Sequence, residues 1–411
     1  MKVRIGKGLG TLVAMFLAVL LLWAQDSDSR ELSSEPPPEC EGAASCRQLA
    51  QEELALPLPN WDRAHRLLER ACGLGSGEAC EELVELLLEV GEEGAVQAAV
   101  ALLEESCEGG HGGACHMLGE MYRLGRGVSR VWVRSREMYQ AACDAGDCRR
   151  QTAEREARER LEREGPGEMI RVSAGSFRMG SPPGEEGRIA RSEGQVDVVL
   201  TRDYSLGRYP VTQGLYELVM DGNISMHVEC GPTCPVETVA WQSAVYFTNR
   251  LNEILGHSAC YDDDGAVVGG DTVYDCEGYR LPTEAEWEFA ARAGTLSSRY
   301  GPLDAVAWHA RNSGGRTHPV GGKEPNAWGF HDMLGNVAEW TNNWYHDEHE
   351  GGTDPVGLDP VGRPGSRGRA YRGGSYADGP GGIRAASRAN GVHAYRQSAF
   401  VGFRLARTAG P

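Results

Sequence analysis

The chain has 411 residues, 41% of them hydrophobic, enough to bury two cores and long for one. A formal charge of -18 and a pI near 5.1 argue against nucleic-acid backbones and anionic lipid surfaces as partners. Twelve cysteines, an even number with no Cys-x-x-Cys pair and no paired Cys/His spacing, point to disulfides in an exported protein and away from a zinc site.

Lys2, Arg4 and Lys7 precede an apolar run from Thr11 to Ala24, the charged-then-apolar layout of an export signal. Residues 1–24 fit either a cleaved signal, ending at Leu22-Trp23-Ala24, or a retained anchor. The second is the one way in which the sequence points to a membrane. No cysteine follows the run directly, which argues against a lipoprotein anchor. Everything after Gln25 is expected outside the cytoplasm, in the periplasm or cell envelope. Residues 25–45, rich in Ser, Glu and Pro, read as a disordered tether.

A repeat follows. Ala71-Cys72-Gly-Leu-Gly-Ser-Gly-Glu-Ala-Cys80 returns as Ser106-Cys107-Glu-Gly-Gly-His-Gly-Gly-Ala-Cys115 and, more loosely, as Ala142-Cys143-Asp-Ala-Gly-Asp-Cys148. The period of about 35 residues belongs to stacked helix pairs. Helices are expected over 65–71, 81–88, 98–105, 116–122 and 136–142. Each pair Cys72 with Cys80, Cys107 with Cys115 and Cys143 with Cys148 is expected to bridge one turn, and Cys40 with Cys46 to close a small loop before them. The phrase Cys115-His-Met-Leu-Gly-Glu-Met-Tyr-Arg-Leu-Gly-Arg-Gly-Val resembles the disulfide-rich Sel-type repeats, which implies a protein-binding or scaffolding surface. Arg149 to Glu164 is a charged helix with acid-base pairs three and four apart, and Gly165-Pro166-Gly167 breaks it, so the repeat domain is placed at 46–164.

Beyond the break, alternation predicts strands over 169–179 and 196–200. Helices are predicted from Gln213, capped by Thr212, over 239–255, and from Glu284, where Thr283 and Glu286 form a capping box. Trp287 and Phe289 then fall on a core face. Cys230 with Cys234 and Cys260 with Cys276 suit two local disulfides, the second closing a hairpin tipped by Asp262-Asp-Asp-Gly265. His346-Asp-Glu-His349-Glu350 has a zinc-like look but lies in a polar stretch with no helix to align the imidazoles, so a solvated loop is expected.

Three phrases belong together: Tyr-Arg-Leu-Pro-Thr-Glu-Ala-Glu-Trp-Glu-Phe-Ala-Ala-Arg from Tyr279, Asp-Met-Leu-Gly-Asn-Val-Ala-Glu-Trp from Asp332, and Arg-Gly-Gly-Ser-Tyr from Arg372, closing with Gly402-Phe403-Arg404. Together they resemble the formylglycine-generating enzyme, or sulfatase-modifying-factor, family over residues 168–408. The resemblance implies an irregular, C-type-lectin-like α+β fold behind an all-α helical-repeat solenoid. It also implies a structural calcium ion on the side chains of Asp332 and Glu339 and the carbonyls of Gly335 and Val337. The residues alone also allow a capped turn with Glu339 bonded to backbone amides, the less favoured reading, and a second calcium site is only half present in Asn312 and Ser313. The family's oxidases carry two cysteines soon after Arg-Gly-Gly-Ser-Tyr, which hold copper(I) on soft thiolates. Here the stretch runs Ala377-Asp-Gly-Pro-Gly-Gly-Ile-Arg384-Ala-Ala-Ser-Arg388 without a thiol, so no copper is expected. Ala338 also replaces the family's usual tryptophan.

Trp340, Ser375, Asp378, Arg384 and Arg388 remain as candidate ligand-binding residues, since guanidinium forks and aromatic faces seat carboxylates or peptide backbone. The alternative is that Arg384, Arg388 and Arg404 tie loops together. The expectation is an exported binding or maturation factor for an extracytoplasmic protein or peptide. Its rivals are an active oxidase, generating formylglycine in sulfatases or working without those cysteines, and a scaffold acting through its repeats.

Overall fold

The computed structural model describes residues 40–57, 59–90, 93–124, 128, 132–346, 348, 351–356, 368–389 and 397–409. The apolar N-terminal run, most of the tether, and Asp347, His349 and Glu350 lie outside them. Among the described residues no helix is long and apolar enough to cross a membrane. The chain divides into two compact units, Met1–Asp147 and Cys148–Pro411.

The described regular elements of the first unit are all helices: α1 Ala43–Leu54, α2 Trp61–Gly73, α3 Gly77–Val90, α4 Glu93–Glu108, α5 Gly112–Leu124 and α6 Trp132–Asp144. Each helix packs on the next, and α3 also packs on α5, as stacked hairpins require. Leu67, Leu68 and Leu83 centre one small core, Val84, Leu103, Leu118 and Met121 another. The three copies of the repeat close the same way. Gly75, Gly110 and Gly146 each take a left-handed φ and donate to the carbonyls of Cys72, Cys107 and Cys143; the next residue donates to Ala71, Ser106 and Ala142. Thus the loosest copy in sequence has the same backbone as the other two, because a positive-φ glycine at the helix end allows these closing bonds. Disulfides join Cys40 to Cys46, Cys72 to Cys80 and Cys107 to Cys115, and Cys143 and Cys148 are likewise disulfide-bonded. Cys40 is buried in the first core, so folded structure starts earlier than the tether boundary at residue 45 had it.

One domain assignment is corrected. The charged helix, α7 Arg149–Glu164, belongs to the second unit, because its inner side packs there. Ala157 and Leu161 are buried, Arg150 pairs with Asp221, and Glu154 pairs with Arg250. Its outer side carries the expected pairs Arg158–Glu162 and Arg160–Glu164.

Among the described residues of the second unit the strands form three small sheets. Strands β1 Met169–Val172, β4 Tyr204–Gly207, β10 Ala406–Thr408 and β5 Tyr279–Arg280 lie in the order β1-β4-β10-β5, with Ala406 opposite both Leu206 and Arg280. Strands β2 Gly175–Met179, β3 Val196–Leu200 and β7 Gly352–Thr353 form the second sheet. Strand β6 Ala338–Trp344 lies between β8 Arg369–Arg372 and β9 Val401–Phe403 in the third. Helices α8 Gln213–Met220, α9 Trp241–Leu255, α10 Glu284–Arg292 and the single turn α11 Leu303–Val306 complete the unit. Thr212 and Thr283 cap α8 and α10 as the sequence predicts: Thr212 Oγ1 accepts from Leu215, and Thr283 exchanges bonds with Glu286. Trp241, Trp287, Trp340, Phe247 and Phe403 are fully buried in one core, which fixes α9 and α10 against β6 and β9.

Candidate functional site

Helix α10 buries three carboxylates, Glu284, Glu286 and Glu288, and an arginine meets each, from a distant segment for Glu284 and Glu288 and from the adjacent strand for Glu286. Arg280 forks onto Glu286 at 2.7 and 2.8 Å, Arg388 onto Glu284 at 2.6 and 2.7 Å, and Glu288 receives Arg292 and Arg372. Arg384 takes Glu193 at 2.8 Å through both terminal nitrogens and Glu185 at 2.7 Å. A buried charge is tolerable only when paired and hydrogen-bonded, so these arginines are committed to the fold.

That corrects most of the ligand-binding expectation. Arg384 and Arg388 are about as buried as core leucines and tie loops together. Trp340 is fully buried, its indole N–H donating to Val239 O at 2.8 Å and its ring edge-on to Tyr371. Ser375 is buried as well and donates to Asp378 Oδ2 at 2.7 Å. Of the five, only Asp378 stands exposed, in the turn formed by Ala377, Asp378 and Gly379. Ala338 is buried within β6, so the missing tryptophan leaves packed core at that position.

The same turn is where copper(I) would require thiolates. None stands between Tyr376 and Arg388, and among the described residues no cysteine is free. The residues present do not fit that ion.

Both carboxylates of the calcium expectation already have protein partners. Glu339 gives both carboxylate oxygens to Arg404, at 2.6 and 2.7 Å, and accepts the Trp287 indole N–H at 2.7 Å. Asp332 accepts the Gly321 N–H at 2.7 Å, and burial pushes its carboxyl above the ordinary range, opposed by that bond and by Arg404. Gly335 is fixed by backbone crowding: its φ is +76°, and a Cβ there would lie 2.2 Å from Trp308 O. Of the half-present second set, Asn312 donates to Ala307 O and Ser313 to Tyr376 O. A calcium ion held by Asp332, Glu339 and the carbonyls of Gly335 and Val337 would have to share the Glu339 carboxylate with the Arg404 guanidinium. Among the described residues no group of three or more His, Cys, Asp or Glu side chains is placed to hold a metal.

Next to the exposed turn lies a cluster that sequence reasoning missed. Tyr376 is held by Ser313 and Asn336 through its backbone, and its ring meets His227 edge-on at 5.2 Å and Phe400 at 5.5 Å. Burial, and then the buried Glu237 carboxylate, push the Tyr376 phenol up to about 12. Glu237 accepts the His227 backbone N–H at 2.7 Å and the Thr238 hydroxyl at 2.5 Å. Thr238 holds φ +63°, an unusual conformation for a β-branched residue and a mark of local strain. Met226, Val228 and Phe400 are exposed, and the Cys230–Cys234 disulfide follows within the same loop. Nothing in the spacing of these residues announced the cluster, since Tyr376 meets His227 across about 150 residues of chain.

Comparison with known proteins agrees with this architecture. Residues 154–409 match the sulfatase-modifying factor enzyme 1-like domain family. The chain is 31% identical over 182 residues to chaperone protein LppX of Paenibacillus barcinonensis, covering 36% of this chain and 64% of that relative, so it spans less than two thirds of its length. It is 27% identical over 237 residues to the formylglycine-generating enzyme of Mycobacterium tuberculosis, covering 44% of this chain and 76% of the enzyme. Among solved structures, Treponema denticola variable protein 1 superposes with a TM-score of 0.50 at 31% identity, covering 59% of this chain and 95% of that one. Three sheets around α9 and α10, the capping box of α10 and the buried arginine ties thus stand in a fold shared with these proteins, and the chain belongs to the sulfatase-modifying factor enzyme 1-like domain family.

Proposed function

We propose that this is an exported member of the family that lacks copper oxidase activity and binds an extracytoplasmic protein or peptide, assisting its maturation. One observation carries the proposal: at the exposed turn after Arg-Gly-Gly-Ser-Tyr the chain offers the Asp378 carboxylate and no thiol. A hard oxygen donor does not replace the soft sulfur ligands that copper(I) needs. Beside the turn, exposed Phe400 meets the buried Tyr376 ring, and exposed Met226 and Val228 flank His227, whose ring meets the other side of the cluster, the mixture of apolar surface and fixed polar groups that polypeptides use. A relative at 31% identity carries the name of a chaperone, which supports a binding role over an oxidative one.

Export is supported by the charged-then-apolar N-terminal sequence and by the even, disulfide-paired cysteine set of the described residues. Retention by its own cell envelope fraction tests the proposal. The wild-type protein should capture a defined polypeptide, and Met226→Asp with Phe400→Asp should release it. Copper-dependent conversion of a cysteine-containing sulfatase peptide to formylglycine would overturn it.

A further inference from the structure

The family's sulfur chemistry has no thiol at the turn, yet sulfur stands next to it. The Cys230–Cys234 disulfide bridges a sequence separation of 4, the shortest of the described bridges, and Cys230 is half-buried while Cys234 is fully buried. Thr317 O lies 3.3 Å from Cys230 Sγ, and the next residue, His318, exchanges hydrogen bonds with Asn336, whose carbonyl holds Tyr376. On the other side, the Cys230 N–H donates to His227 O, and the His227 ring packs on Tyr376. The disulfide is therefore joined to the Tyr376 turn by two separate short paths.

Two buried polar atoms beside it lack hydrogen bonds. Thr317 is fully buried, and its Oγ1 has no partner; His227 Nδ1 is buried without one, 3.4 Å from Glu237 Oε1. The unpaired hydroxyl belongs to the residue whose carbonyl lies against Cys230 Sγ, and a buried hydroxyl without a partner is a costly feature of the kind that redox sites carry. Opening this bridge releases a loop of only a few residues, so it constrains the unfolded chain less than Cys260–Cys276, with a separation of 16.

We propose that Cys230–Cys234 is a redox-active disulfide that exchanges with two thiols of the exported polypeptide bound beside Tyr376. The substrate rests on the binding role proposed above; the disulfide's reactivity does not. A substrate thiolate attacks Cys230 Sγ, the sulfur of the less buried cysteine, and the S–S bond breaks with Cys234 leaving as a thiolate that takes a proton. The second substrate thiolate then attacks the substrate sulfur of the mixed disulfide, and Cys230 leaves and is protonated. Two electrons and two protons pass from the substrate dithiol to the protein, and the substrate gains a disulfide.

The test uses the folded full-length protein in graded glutathione buffers, followed by acid quench, alkylation and peptide mapping. Cys230–Cys234 is expected to open at least tenfold faster than Cys107–Cys115, the other described bridge with one half-buried and one buried cysteine. Equal rates would overturn the proposal. A synthetic peptide bearing two cysteines should be oxidised by one equivalent of protein, and Cys234→Ser should trap it on Cys230; an unchanged peptide would count against exchange. The alkylation pH profile of reduced Cys230 should move upward in Thr317→Val. If a captured polypeptide stays bound while the bridge proves inert, the exchange fails and the binding role stands. If the bridge is labile but nothing is captured, the binding role fails alone.

Discussion

Glu339 holds Arg404 with both carboxylate oxygens, at 2.6 and 2.7 Å, and neither side chain reaches solvent. The pair joins the middle strand of one sheet to the segment entering β10, and Arg404 also donates to the carbonyls of Gly207 and His331. Removing one partner strands the other charge, so Arg404→Met should lower stability by about 3–5 kcal/mol. Urea denaturation of the full chain measures it.

Chelation separates this ion pair from a calcium site. An ion held at a hundred times its dissociation constant would add about 2.7 kcal/mol to stability. With Glu339 already satisfied by Arg404 and Trp287, the midpoint of thermal unfolding should be the same in EGTA and in millimolar calcium. A rise in calcium that disappears in Asp332→Ala would restore the ion to these residues.

The turn and its supporting arginine should respond differently to mutation. Arg384→Met leaves Glu193 buried without its fork and should cost about 3–5 kcal/mol. Asp378→Ala removes an exposed acceptor from the Ser375 hydroxyl and amide and should cost about 1 kcal/mol. Equal losses in paired denaturation curves would mean that Arg384 is not the tie its contacts indicate.

Copper(I) should bind weakly. Competition with a chromogenic chelator should show no tight site in the oxidised protein, because no free thiolate is available. A sulfatase peptide incubated with the metal-supplemented protein and oxygen should keep its cysteine mass. Formation of the aldehyde would show that the domain oxidises cysteine without thiols at that turn.

Thr283 is the clearest single-residue test of a cap. Its Oγ1 accepts from Glu286 N at 3.2 Å and also meets the Tyr274 hydroxyl at 3.0 Å. Thr283→Ala should cost about 1–2 kcal/mol, with Thr283→Ser recovering most of it.

What the sequence determined by itself was local. The caps at Thr212 and Thr283, the disulfides at separations of 4, 8 and 16, and the repeat turns all close within one short stretch of chain, where residue type and spacing fix the hydrogen bonds. Family phrases extended that to the fold, since they mark where strands and α10 must come together. Only the tertiary structure decided what the arginines do. Arg384 meets Glu185 and Glu193 across almost 200 residues, and Arg388 meets Glu284 across 104, so a guanidinium that looks like a ligand seat in sequence is consumed by a carboxylate no local pattern connects to it. The charged helix 149–164 shows the same limit: its composition reads as a solvated helix closing the repeats, and only the approach of Arg250 and Asp221 reveals which unit it belongs to. The physical reason is that an ion pair or a ring contact is specified by where two segments meet, and that meeting depends on the packing of the whole unit around Trp241, Trp287 and Trp340.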